Sequence, residues 1–433
     1  MGNRSAEKPI DVVVTDAELR AGLAVIRALG SKGIRVLAVG ANAKSLGFAS
    51  RYAAERLQLP SPYLSPKAFA LGVRDVVEKR EIPLVLPVQD YAVLAIDRFR
   101  TEFEGLAQLA IAPPDALRAA FDKQRTSEIA SRLGIPMPET TEPTSIAAAA
   151  SFAEEVGFPV VIKPRSLKGA LPVDLPYYFK VQYARDRREL ESVLQPFADA
   201  GVFPLLQKFY SGRKVNQGIL ISGGRLVGLY QYQAAREFPL TGGQTCLHVS
   251  VPVDRELRGW SETMLKEIGW EGPAMMEYRV DERGGNRVLL EVNGRFWAPL
   301  SAANKLRLNY PYAFYRYLAQ GECETVFGPY PYGTRNMYLR GELIALGLLL
   351  AGKTPGFLAP LPSKGRAILD FLRDLRPGMQ FDVLDWRDPR PGLREVGLLL
   401  PEFLAFFKAL RAGQSVEDIR ASRTTLTSPT EEA

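Results

Sequence analysis

Two short apolar runs, residues 274–280 and 287–293, each carry a single acid, Glu277 and Glu291, and this pairing constrains the fold more than any other feature of the chain. Asp281-Glu282-Arg283-Gly284-Gly285-Asn286 connects them, and a glycine-rich connection between strand-like runs reads as an antiparallel hairpin. Folding about Gly284 sets Glu277 opposite Glu291. Like charges facing across such a pair repel, and a divalent cation with oxygen ligands removes the repulsion. Asn293 and Arg295 follow Glu291 at spacings of two, so they leave the strand from the same face. The pattern predicts a hard-metal site with Glu277, Glu291 and Asn293 as ligands, beside a fixed cation, Arg295. A solvated hairpin with two surface acids is the competing reading.

What the chain lacks narrows the metal. Its one histidine is His248, and its two cysteines, Cys246 and Cys323, lie far apart. Multi-histidine and thiolate sites are thereby excluded, leaving carboxylate-bound magnesium or manganese, and no disulfide framework is expected. The 433 residues should divide into two or three domains. Net charge is +7, from 55 Lys and Arg against 48 Asp and Glu. The basic residues are spread along the chain, so an anionic ligand is permitted and nucleic acid is not expected. Residues 1–9 lack the apolar core of a secretion signal, and no apolar run is long enough to span a bilayer. The expected location is cytoplasmic.

Residues 10–120 alternate between strands and helices. Residues 11–15, 34–40 and 83–88 read as buried strands and 17–29 as a helix, which implies a parallel sheet. The strand at 83–88 delivers Gln89 and Asp90 at its carboxyl end, the edge where open sheets place ligands. Asp90 also reads as the N-cap of a helix over 91–99. No Gly-x-Gly-x-x-Gly follows the first strand, which speaks against dinucleotide binding. From residue 122 the texture changes. A helix opening at Asp122-Lys123 stops at Gly134 and Pro136, and an alanine-rich helix over 145–156 precedes a strand closing on Lys163. A strand ending at Phe209-Tyr210, a turn at Ser211-Gly212, a hairpin through Gly223-Gly224 and a helix over 256–268 lead to the paired acids. Beyond 321, residues 342–350 and 396–410 are apolar helical stretches, the second interrupted by Pro401, and 385–391 is loop-like. These stretches either cover the main body or dock on a membrane surface or a partner. Residues 422–433 read as a disordered tail.

Lys123, Lys163, the strand ending at Phe209-Tyr210 and the Glu277/Glu291/Asn293 set, in this order, resemble the ATP-grasp superfamily of ATP-dependent carboxylate ligases over roughly residues 10–320. The last strand resembles the branch of predicted carboxylate-amine ligases that read Glu-x-Asn-x-Arg-Phe-Trp, here Glu291 to Trp297. This resemblance implies a mixed α/β and α+β chain, with a parallel-sheet pre-ATP-grasp domain over 1–121 and a two-lobed ATP-grasp domain over 122–320; the apolar pattern adds a mostly helical region over 321–421. The resemblance further implies that Lys123 and Lys163 hold the phosphates of ATP, that Gln207, Lys208, Phe209 and Tyr210 surround the adenine, and that one or two Mg²⁺ or Mn²⁺ ions sit on Glu277, Glu291 and Asn293. Arg295 would hold the transferred phosphoryl group or the acyl phosphate. His248 would orient the acyl phosphate or deprotonate the amine, or else serve structure alone.

The implied chemistry activates a small carboxylate as an acyl phosphate, which an amine then attacks, releasing ADP and phosphate; positioning and electrostatics do most of the work. Three departures from the family pattern stand out. Lys214 stands where many relatives carry an acid for the ribose, and the resemblance implies that it contacts the nucleotide there. Lys168, in a phosphate loop with one glycine, would supply charge to the phosphates where backbone amides otherwise serve. Met275 and Met276 stand where an arginine often precedes the first metal acid, a role left to Arg236 or Arg279. A regulatory nucleotide-binding protein without turnover, and a phosphotransferase without amine coupling, are the alternatives.

Overall fold

The computed structural model describes residues 9–165, 181–238, 243–281, 285–326, 328–352, 354 and 361–411. Five parallel strands open the fold: β1 (Val12–Val14), β2 (Val36–Gly40), β3 (Ala53–Gln58), β4 (Leu84–Leu86) and β5 (Gln108–Leu109), in the order β3-β2-β1-β4-β5. β1, β2 and β4 are buried at every residue, as continuous apolar strands must be when both sheet faces are covered. Asp16, just past β1 with φ at 58°, accepts backbone N–H bonds from Val88 and Gln89 at 3.1 and 3.0 Å. Those bonds fix the loop after β4. Gln89, not Asp90, caps the next helix, Asp90–Arg98, and no side chain bonds the cap. The Asp90 carboxylate is therefore free to point elsewhere.

A small antiparallel sheet follows, made of β6 (Thr140–Thr141), β7 (Val160–Lys163), β8 (Gln182–Ala184) and β9 (Leu205–Lys208) in the order β6-β9-β7-β8. Helices Ile146–Val156 and Arg187–Asp199 bury Ala149, Ala153, Leu190 and Leu194 against it. The largest sheet holds β10 (Arg213–Ser222), β11 (Arg225–Phe238), β12 (Gln244–Ser250), β13 (Gly272–Val280), β14 (Arg287–Asn293), β15 (Arg335–Met337) and β16 (Gln380–Phe381). Its order is β14-β13-β10-β11-β12-β15-β16.

The expected hairpin is present, and its register sets Glu277 directly opposite Glu291. Packing locks the exit of β14. A Cβ on Gly218 would stand 2.3 Å from the Trp297 ring, and one on Gly294 the same 2.3 Å from Trp270. Trp297 is fully buried, so the glycines seat indoles against backbone and hold the segment from Glu291 to Trp297 in place.

The region after residue 321 is helical, as expected, but two short strands from it extend the largest sheet. Asp382, following β16, takes bonds from Ser301 at 2.7 Å and Asn336 at 2.5 Å and pairs with Arg20. Asp388 pairs with Arg27 at 2.9 Å and takes bonds from Ser50 and the Arg51 N–H at 2.6 and 3.0 Å. These contacts strap the C-terminal region to Arg20, Arg27 and the Ser50-Arg51 segment beside the parallel sheet. Helix Pro389–Arg411 begins inside the expected loop and runs through Pro401. Pro389 and Pro391 fit its first turn because that turn's N–H groups have no helical partner. Among the described residues no helix is long and apolar enough to cross a membrane.

Candidate functional site

An open cleft of about 540 Å³ gathers Lys123, Lys163, Gln207, Glu291, Asn293 and Asp90 among its lining. Each comes from a different local device. Lys123 is the first residue of helix Lys123–Arg132, whose cap, Asp122, accepts from the Gln124 and Arg125 N–H groups. Lys163 ends β7, and Gln207 lies on the neighbouring β9. The Lys163 ammonium donates to Gln207 Oε1 at 2.9 Å, while Gln207 Nε2 donates to Thr140 Oγ1 at 2.8 Å. Burial pushes the Lys163 ammonium down to about 8; Lys123 pushes the same way and Glu291 opposes.

Across the cleft the two acids behave differently. Burial raises the Glu291 carboxyl, but Lys123, Lys163, Arg295 and Lys214 outweigh it and leave it below the ordinary value. It is held as an anion. Among the described residues no hydrogen bond or ion pair engages that carboxylate. Glu277 is pushed up by burial and by Glu291, against the pull of Lys214. The Lys214 ammonium lies 2.9 Å from Glu277 Oε2 and 3.1 Å from Glu237 Oε1. Arg295 is anchored as well: Nε meets Asp90 at 2.9 Å, Nη1 the Phe296 carbonyl at 2.9 Å and Nη2 the Asn293 Oδ1 at 3.2 Å.

No protein-family model matches the chain. The arginine-specific carbamoyl phosphate synthase large chain of Oryza sativa chloroplasts is 24% identical over 224 residues, 49% of this chain and 18% of that protein. The chain thus spans less than a fifth of that relative's length. Its structure is similar to the biotin carboxylase domain of Hydrogenobacter thermophilus 2-oxoglutarate carboxylase, solved with MgADP, ADP and bicarbonate: TM-score 0.59, 18% identity, 76% of this chain and 74% of that one. It is also similar to the L-amino acid ligase of Bacillus licheniformis, at TM-score 0.53 and 15% identity over 71% and 73% of the two chains. The chain has the ATP-grasp fold.

Within that ATP-grasp framework, Lys123, Lys163, Gln207, Glu291 and Asn293 come together in one cleft. Glu277 lies beside it, turned toward Lys214. Lys208, Phe209 and Tyr210 follow the same strand end but do not line the cleft. Lys208 pairs with Glu139 at 2.7 Å, and Phe209 meets Tyr183 edge-on with 6.1 Å between centroids. His248 is buried on β12, 4.8 Å from the Tyr232 ring, with Nε2 lacking a partner, and burial lowers it to about 4. It is neutral and off the cleft. Arg236 is held by Glu342 and Asp374, both at 2.7 Å, and Arg279 by the Gly212 carbonyl at 2.9 Å. Lys168 and the insert 171–179 lie outside the described residues. Cys246 is buried and its thiol is pushed up to about 12 by burial, which makes it unreactive as a nucleophile.

Sequence reasoning missed the Asp90–Arg295 pair and the Lys214–Glu277 pair. The first depends on how the parallel-sheet region meets the end of β14, the second on the order of strands in the largest sheet. Among the described residues no group of three or more His, Cys, Asp or Glu could hold a metal by itself. The donor set nevertheless fits magnesium, which is commonly held by one or two carboxylates together with nucleotide phosphates. Glu291 is held as an anion by Lys123 and Lys163 and has no hydrogen-bond or ion-pair partner among the described residues.

Proposed function

We propose that the chain is an ATP-dependent ligase that activates a carboxylate as an acyl phosphate and couples it to an amine, releasing ADP and phosphate. The observation that carries this reading is the cleft itself. Lys123 and Lys163 line it together with Asn293 and with Glu291, which has no hydrogen-bond or ion-pair partner among the described residues, a set of groups that a polyphosphate with its metal ion would engage. Magnesium, when bound, would neutralise charge on the transferred phosphoryl group; Glu291 would hold it, with Asn293 offering only the Oδ1 lone pair that Arg295 leaves free. Lys163 and Lys123 would bind and orient the phosphates. Arg295, fixed by Asp90 and the Phe296 carbonyl, would present its remaining N–H groups to the acyl phosphate. The neighbours solved with MgADP and bicarbonate support a nucleotide and a small carboxylate-like acid as substrates. A division into 1–121, 122–320 and 321–421 is part of the proposal, as is a cytoplasmic location. Peripheral contact with a membrane or protein is supported by the exposed Leu369, Leu372, Trp386 and Leu393.

A screen of carboxylate and amine pairs for magnesium-dependent ADP release, with Glu291→Ala as control, tests the reading. Release that needs both substrates and disappears in the variant is expected; release unchanged in Glu291→Ala would refute the site. The ion pair that occupies Glu277 favours a second reading, a nucleotide-binding regulator. Tight MgADP binding with no turnover for any substrate pair would support that one instead.

A further inference from the structure

Two acids face each other across β13 and β14, yet only one is open. β10 pairs with the other side of β13, and Asn216 on it stands opposite Glu277. Lys214, two residues earlier, leaves β10 from the same face and reaches diagonally across. Its ammonium lies 2.9 Å from Glu277 Oε2 and 3.1 Å from Glu237 Oε1, and donates to the Gly243 carbonyl at 3.1 Å. An ammonium has three protons and no acceptor, and three oxygens surround this one. Lys214 is 9% exposed, so it is built into the sheet. Nothing of it remains for a phosphate. Asn293 Oδ1 is likewise met by Arg295 Nη2 at 3.2 Å. Of Glu277, Glu291 and Asn293, Glu291 alone has no hydrogen bond or ion pair to a protein group among the described residues.

We propose that Lys214 is a built-in counter-cation that stands at Glu277 in place of a divalent ion, so that the nucleotide site loads a single divalent cation, held by Glu291. The proposal rests on the nucleotide-binding reading above. An ion bridging both acids would have to share Glu277 with the ammonium or expel it from all three oxygens. Buried like charges at that separation repel strongly, with little screening. An ion held by Glu291 and the nucleotide phosphates meets no such obstacle. Lys214 thus neutralises the hairpin acid that the nucleotide's own metal does not reach.

The test counts Mn²⁺ bound to the full chain at saturating ADP, by electron paramagnetic resonance of the free ion. One Mn²⁺ per ADP-loaded chain is expected, persisting in Glu277→Gln and lost in Glu291→Gln. Lys214→Met, which removes the charge and frees Glu277, is expected to take up a second ion, whereas Lys214→Arg keeps one. Two ions in the unaltered chain would overturn the proposal while leaving nucleotide binding intact. So would a single ion in an ADP-binding Lys214→Met. If Lys214→Met does not fold, the count in the unaltered chain and in Glu277→Gln decides. Absence of any ADP binding would overturn the nucleotide reading itself, and this proposal with it.

Discussion

Lys163 should titrate within reach of ordinary assay conditions, and that makes its role measurable without knowing the substrates. It is 6% exposed at the end of β7, and burial lowers its ammonium from 10.5 to about 8 despite the attraction of Glu291. In the free chain the proton is half gone at pH 8. Phosphates placed beside Lys163 favour the charged form, so nucleotide binding pulls the proton back on. Uptake should be about half a proton per MgADP at pH 8 and about a tenth at pH 7, and affinity should weaken about tenfold between pH 7 and pH 9. Calorimetric titration in two buffers of different ionisation enthalpy reads the uptake directly. Lys163→Met, which cannot titrate, supplies the baseline that removes the nucleotide's own ionisation. Stability follows the same sign: the buried ammonium weakens the free chain below about pH 8, and the penalty fades as pH rises toward the unfolded value near 10.4. Equal affinity at pH 7 and pH 9 with no buffer dependence would refute Lys163 as a phosphate-binding group.

Asp382→Ala removes one partner of a buried ion pair with Arg20 and should destabilise the chain by about 3–5 kcal/mol in urea unfolding. Burial raises the Asp382 carboxyl, but Arg20, His248, Ser301 and Asn336 outweigh it and lower it overall. Its contribution is therefore full above about pH 4, the unfolded carboxylate value, and disappears as pH falls through the folded one. The gap between the unaltered chain and Asp382→Asn should close accordingly. Gly218→Ala puts a methyl 2.3 Å from the Trp297 ring and should cost about 1–3 kcal/mol, with a matching fall in melting temperature. A thiol reagent near pH 8 should label Cys323 in the native chain and reach Cys246 only after unfolding, since the Cys246 thiol is buried and pushed up to about 12.

The parts of the site that sequence disclosed are those built from neighbours along the chain. Glu277 and Glu291 were legible because a turn joins their strands and the pleat fixes which side chains share a face. Lys163 was legible as the residue where an apolar run meets a charge. The parts that stayed hidden are set by contacts between segments far apart. Asp90 is 205 residues from Arg295, and nothing local distinguishes a carboxylate that caps its helix from one that reaches another domain. Lys214 is the more instructive case. β10 begins at Arg213, so Lys214 lies within the strand and shares a face with Asn216. What it meets on that face depends on β10 lying between β11 and β13, an order that the chain reaches only by crossing from the first hairpin to the second. Resemblance therefore assigned Lys214 to the nucleotide, whereas the sheet turns it onto Glu277. A lysine exchanged for an acid at this position does more than weaken a contact with a sugar. Through the register of one pairing it sets how much positive charge the hairpin already holds before any metal arrives.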